Sequence, residues 1–158
     1  MNAPSAPSGA FSGYASLFNR PDQAGDVLVP GAFAGALARR GPGGVRMLFQ
    51  HDPASPVGVW RELREDARGL FVRGQLISGV AQARELGALL QAGALDGLSI
   101  GFKTRRARRE RSTGRRYLIE VDLWEISLVT FPMLPGARVH ALKGCALAPE
   151  MFPTPTTN

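Results

Sequence analysis

Cysteine occurs once in the 158 residues, at position 145, so the chain can form no internal disulfide and no thiolate cluster for a metal. Histidine is almost as scarce. His51 and His140 stand 89 positions apart, which is no zinc-ligand spacing, and neither a metal nor any other cofactor is expected. Long apolar runs are missing too: none approaches the roughly 18 residues of a membrane span. The opening Met1-Asn2-Ala3-Pro4-Ser5 has neither the basic start nor the apolar core of an export signal, and a cytoplasmic protein without a membrane partner is expected. Lysine is nearly absent, Arg supplying 17 of the 19 cations. Most of the chain also lacks the net charge of +6: residues 103 to 116 hold eight basic residues and one Glu, leaving 11 basic against 12 acidic elsewhere. A basic hairpin is therefore expected, not a basic domain. No aromatic residue interrupts that segment, so nucleic acid on the Arg105 to Arg116 hairpin would be held by charge alone, without base stacking.

What is present suffices for one domain with a sizeable core. Residues 1–10 are small, polar and Pro-containing and predict a flexible arm; 144–158 predict a flexible Pro- and Thr-rich tail; the domain should span 11–143. Strands are predicted at 11–18, 45–51, 56–60 and 69–77, with Asp52-Pro53-Ala54-Ser55 as the turn between the second and third. Such short spacing suits a meander or barrel. A short helix over 32–40 stops at Gly41-Pro42-Gly43-Gly44, and a longer one over 79–91 takes Ser78 as its N-cap and presents Val80, Ala83, Leu86 or Gly87, and Leu90 on one face. In the strand 98–102, Leu98, Ile100 and Phe102 share one face, while Ser99 and Gly101 share the other. The Arg-rich segment then forms the tip of a long hairpin whose return strand, 117–131, is long enough to require a bulge or bend. A last short strand is predicted at 137–142.

The chemistry-bearing stretch is Gly97-Leu98-Ser99-Ile100-Gly101, where small flanking residues let another backbone approach the Ser99 hydroxyl. It matches G-x-S-x-G, yet the nucleophile elbow of α/β-hydrolases needs strand, turn and helix in that order with the histidine last. Here a helix precedes the serine, a strand follows it, and His51 lies 48 residues upstream. Ser99 as nucleophile with His51 as base remains the serine-protease reading; a tight backbone approach at Ser99 and a surface histidine are the structural alternatives. Asp52 is most simply a turn residue. Glu125 continues the face of Ile119, Val121 and Leu123, where a carboxylate needs a partner such as a histidine. Cys145 with His140 is a weaker thiol-protease pairing beside the tail.

Several blocks in fixed order resemble one family. They are Gly13-Tyr14-Ala15-Ser16-Leu17-Phe18, Gly25-Asp26-Val27 with Pro30-Gly31-Ala32-Phe33, and Gln50-His51-Asp52 with Pro56-Val57-Gly58. Gly69-Leu70, residues 97–102 and Glu125 to Pro132 complete the set. The pattern is similar to the prohead (procapsid) maturation proteases of tailed phages and gene transfer agents, themselves similar in fold to the herpesvirus assemblin proteases. Met133-Leu134-Pro135-Gly136 departs from the more usual Ala-Asn-Pro turn. The resemblance implies a mainly β (α+β) fold: an antiparallel, closed or nearly closed barrel with a few helices packed outside. It implies Ser99 as nucleophile, His51 as base and, where the herpesvirus relatives carry a second histidine, Glu125 as third member, with His140 the alternative. Its implied substrates are scaffold and the capsid-protein precursor inside an immature capsid, and self-association is a further expectation. The competing class is a non-enzymatic capsid-assembly or nucleic-acid-binding module working through the Arg-rich hairpin.

Overall fold

The computed structural model describes residues 9–143. Most of the expected N-terminal arm, the expected tail and Cys145 lie outside the described residues. Ala10, assigned to the arm from sequence, already belongs to the first strand. In chain order the elements are β1 (Ala10–Leu17), β2 (Asp26–Leu28), α1 (Ala34–Arg40), a 3-10 turn (Pro42–Gly44), β3 (Arg46–Phe49) and β4 (Asp52–Glu65). They continue with β5 (Gly69–Leu76), α2 (Ala81–Gln91), β6 (Gly97–Arg109), β7 (Arg116–Val129) and β8 (Val139–Lys143). No helix among the described residues is long and apolar enough to cross a membrane.

The strands make one sheet in the order β2-β7-β3-β4-β5-β1-β8, with β6 on the other side of β7. Its two ends meet. Leu98 N–H donates to Ala137 O at 2.9 Å, Val139 N–H donates to Asp96 O at 2.8 Å, and Gly97 bridges Arg138, so the sheet curls into a nearly closed barrel. Pairing is antiparallel except where β2 and β3 run parallel to β7. Inside lie Phe11, Met47, Leu70, Leu98, Leu123, Ile126 and Leu128, each at most 2% exposed, and Phe11 meets Trp60 edge to face at 5.6 Å.

The helices close the outside. α2 buries Ala83, Leu86 and Leu90 as its periodicity predicts. Its start differs from the expectation: the N-cap is Val80 without a side-chain bond, and Ser78 instead offers its carbonyl to Arg84 Nη1 at 2.6 Å. Ahead of α1, the Glu65 carboxylate at the end of β4 accepts N–H bonds from Gly31 (3.1 Å) and Phe33 (3.0 Å), so a distant acid serves where no local cap exists.

β7 carries the bulges its length demanded. The register skips Ile119 between the pairs Ala107↔Leu118 and Arg106↔Glu120, and skips Trp124 between Phe102↔Leu123 and Gly101↔Glu125. Each skip reverses which parity is inside: Leu118 is buried, then Val121 and Leu123, then Ile126 and Leu128. Glu125 therefore does not share a face with Val121 and Leu123, as simple alternation implied. It shares one with Ser127. The hairpin turn also sits earlier than expected: Phe49 pairs with Asp52 around Gln50-His51, and residues 53–55 form an irregularity within β4.

Gly74 shows how little slack the core has. A Cβ there would come within 2.6 Å of Met47 Cε and 2.8 Å of both Phe11 Cζ and Trp60 Cζ3. Gly74→Ala should lower stability by about 1–3 kcal/mol through overpacking, read as a lower urea midpoint at unchanged slope; an unshifted midpoint would show that these side chains repack freely.

Candidate active site

Three strands deliver the site. β3 and β4 meet in a two-residue turn whose central residues, Gln50 (φ 54°) and His51 (φ 58°), are both left-handed, as the I′ hairpin geometry requires. Asn and Gly usually fill such positions. The turn is held down on β7: Gln50 N–H donates to Leu128 O (2.9 Å), its side-chain amide donates to Thr130 Oγ1 (3.0 Å), and its Oε1 accepts from Thr130 N–H (3.2 Å). His51 N–H donates to Ser127 Oγ at 3.0 Å. Asp52 Oδ1 accepts from Ala54 N–H at 2.9 Å, the turn role expected of it.

From that turn the His51 ring brings Nδ1 against Glu125 Oε1 in a short hydrogen bond. The Glu125 side chain is 13% exposed, against 43% for His51. Its other oxygen, Oε2, accepts from the Ser127 hydroxyl at 2.7 Å. Ser127 is fully buried and thus joins the His51 backbone to the Glu125 carboxylate. The hydrogen bond to Glu125 raises the His51 pKa above its ordinary value; burial opposes this and the carboxylate's charge adds to it. With Nδ1 engaged, Nε2 is the ring nitrogen left for proton exchange.

Ser99 enters from β6 as the direct cross-strand partner of Ser127. It is on the opposite strand face from Leu98, as alternation predicts, but it is buried too, at 7% exposure. It lines a small cavity of about 40 Å³ with Leu28, Phe102, Met133, Leu134 and Arg20 among the walls. Gly101, paired with Glu125, leaves the space the carboxylate occupies: a Cβ would lie 2.7 Å from Glu125 Cδ and 2.8 Å from Cγ. His140 is elsewhere. Its ring stands edge-on to Tyr14 at 6.2 Å, and burial, with the Arg68 charge, lowers its pKa.

The structure therefore gathers Ser99, His51 and Glu125 around β7 and leaves His140 out. The sequence offers Gly101 only as a small flank of Ser99, and it gives Gln50 and Ser127 no role in the site. Ser127 carried a faint signal, a hydroxyl inside the apolar run Ile126-Ser127-Leu128-Val129.

The nearly closed barrel is a fold shared with solved viral proteases. The bacteriophage T4 capsid assembly protease gp21 matches with a TM-score of 0.62 at 13% identity, over 76% of this chain and 80% of that one. The Kaposi's sarcoma herpesvirus protease, solved with a hexapeptide phosphonate inhibitor, matches with a TM-score of 0.55 at 16% identity, over 82% of this chain and 63% of that one. In sequence, the chain belongs to the caudovirus prohead serine protease family, whose pattern it matches over residues 2–148. The "Prohead protease" of Enterobacteria phage HK97 is 43% identical over 139 residues, which is 85% of this chain. The chain spans 60% of that relative's length.

Glu125→Gln should bring the His51 pKa down toward the ordinary value, measured by NMR titration of the ring. Gly101→Ala should do the same by displacing the carboxylate. The sign also fixes a stability effect: a histidine whose folded pKa is raised stabilises the fold fully below its unfolded pKa and loses this as pH rises through the folded value. The melting-temperature gap between parent and Glu125→Gln should thus be wider near pH 6 than near pH 9, about half a unit below and well above the ordinary histidine pKa. A gap independent of pH, with an unmoved ring titration, would mean that the two groups do not interact.

Proposed function

We propose that this chain is a serine endopeptidase with residues 11–143 as its catalytic domain, acting on scaffold and the capsid-protein precursor inside an immature capsid. The observation that carries the reading is the hydrogen-bonded set made by His51 of the β3–β4 turn with Glu125 and Ser127 of β7, the strand paired with the Ser99 strand. Membership of a serine protease family supports it.

In this mechanism His51 Nε2 takes the Ser99 proton while Oγ attacks the peptide carbonyl. The tetrahedral intermediate collapses, the C–N bond breaks, and the imidazolium returns its proton to the departing amine. Water, deprotonated by the same nitrogen, then attacks the acyl-enzyme and releases Ser99. Glu125 accepts the Nδ1–H bond, which fixes the tautomer and stabilises the imidazolium that forms in both halves. Ser127 holds Glu125 from the side away from the ring, and the turn bonds of Gln50 hold the base over β7.

Ser99→Ala should abolish processing of a co-expressed capsid precursor, and a serine-directed phosphonate should label the parent and not the variant. Ser99→Ala and His51→Ala should be equally inactive and the double variant no worse, because the two act as one unit. Glu125→Gln should lower turnover by up to about 10⁴-fold, the loss seen when the orienting carboxylate is neutralised in a well-studied serine protease. His140→Ala should stay within about tenfold, or 1.4 kcal/mol. Undiminished cleavage by Ser99→Ala ends the proposal, and a worse loss in His140→Ala than in Glu125→Gln moves the third role to His140.

A further inference from the structure

The strand that carries Ser99 does not end at the site. β6 runs unbroken from Gly97 to Arg109 and, among the described residues, has β7 on one edge only; the other edge is met by Arg138 at Gly97 and by Ala137 at Leu98, and is unpaired from Ser99 onward. Along that free edge, residues 103–109 are all exposed, and Lys103, Arg105, Arg106, Arg108 and Arg109 are among them.

The ribbon balances only part of this charge. Asp122 is taken by Arg40 and Arg39, Glu120 lies 3.9 Å from Arg105, and the Glu110 carboxylate is engaged by the hydroxyls of Ser112, Thr113 and Tyr117. Arg106 makes no ion pair among the described residues, and Arg109 stands directly opposite Arg116, whose own charge is met by Asp26 at 2.8 Å. The remainder faces solvent, where salt ions or an acidic partner can meet it. The two rings beside these cations each carry a cation, Lys103 over Trp124 at 4.7 Å and Arg108 over Tyr117 at 5.1 Å, which reduces the aromatic surface for stacking bases. An unpaired strand edge, by contrast, offers backbone N–H and C=O groups to an extended polypeptide.

We propose that the free edge of β6 with its arginines is an exosite for an acidic, extended stretch of the polypeptide substrate. This rests on Ser99 as the nucleophile. Arg105 and Arg109 lie six and ten positions beyond Ser99 on one strand, which at about 3.3 Å per residue is roughly 20–33 Å. The acidic stretch is therefore about six to ten residues from the bond that is cut.

The test uses the full chain and peptides built on one bond that the parent cleaves in denatured casein. A cluster of four Glu is placed about six to ten residues from that bond, on one side or the other, or about two residues from it, or replaced by Gln. The distant cluster, on one side, should raise kcat/KM by about tenfold or more over the Gln peptide, and this ratio should fall toward one in high salt. The ratio should also collapse in the variant with Arg105, Arg106, Arg108 and Arg109 all changed to Ser, and fall in Arg106→Glu, with both variants checked for unchanged circular dichroism. Equal gains at every spacing, no gain on either side, or a gain that survives loss of the arginines overturns the exosite. Fluorescence anisotropy with the Ser99→Ala protein supplies the remaining comparison: tighter binding of a duplex DNA of equal charge than of the acidic peptide reassigns the ribbon to nucleic acid. Failure of the nucleophile reading shows itself separately, as absent phosphonate labelling and absent cleavage of every peptide.

Discussion

Withdrawing a carboxylate from water is unfavourable unless its charge is met at once, and the site half of the barrel is arranged around meeting that of Glu125. One oxygen takes the imidazole of His51 and the other the hydroxyl of Ser127. Each partner is then constrained in turn. Ser127 has to be a serine in a run of apolar neighbours, since its oxygen both donates to the carboxylate and accepts from the His51 backbone. The β3–β4 turn has to approach β7 closely enough for that bond, which is why β3 runs parallel to β7 with Phe49 level with Leu128. Compensation of one charge thus sets the position of a turn, the identity of a buried polar residue and the pairing of two strands.

Two departures from regular geometry make room for this. The bulge at Trp124 rotates the following residues of β7, which moves Ile126 and Leu128 into the core and turns Glu125 and Ser127 toward Ser99 and Gly101. The left-handed backbone at Gln50 and His51 carries strain of about 1–2 kcal/mol per residue for a side chain with a Cβ. That strain is offset by the hydrogen bonds that tie the turn to Leu128, Thr130 and Ser127. A glycine at position 51 would suit the backbone better and would have no ring to offer Glu125. The strain is therefore tied to the presence of the imidazole.

Most strands were legible because alternation, Gly and Pro mark them, and α2 because Ala83, Leu86 and Leu90 repeat at helical spacing. The site was legible in part. Ser99 and His51 stood out through glycine flanks and the scarcity of histidine, and Glu125 through the oddity of an acid among apolar residues. Simple alternation puts Glu125 on the wrong face, because it carries no information about where a register skips; that depends on how β6 and β7 pair over their whole length. The turn was placed at Asp52-Pro53 since Pro signals turns strongly, whereas tertiary bonds from Leu128 and Thr130 hold Gln50-His51 in a conformation its composition does not favour. Likewise the arginines read as a loop tip and are a strand, their exposed side chains carried by a ribbon whose other strand supplies Leu118 and Val121 to the core.

The parallel pairing of β3 with β7 also divides the site between local and distant contacts. Ser99, Gly101, Glu125 and Ser127 belong to one hairpin, which can close on local contacts, whereas Gln50 and Thr130 are 80 positions apart and join only through a long loop closure. Opening of the β3–β4 turn alone would leave the serine and the carboxylate together and take the imidazole away. On a growing polypeptide, His51 emerges first and waits for the strand it must lie against. The pairing of His51 with Glu125 thus depends on a long-range contact, so a locally unravelled molecule keeps the hairpin residues together without the ring beside them.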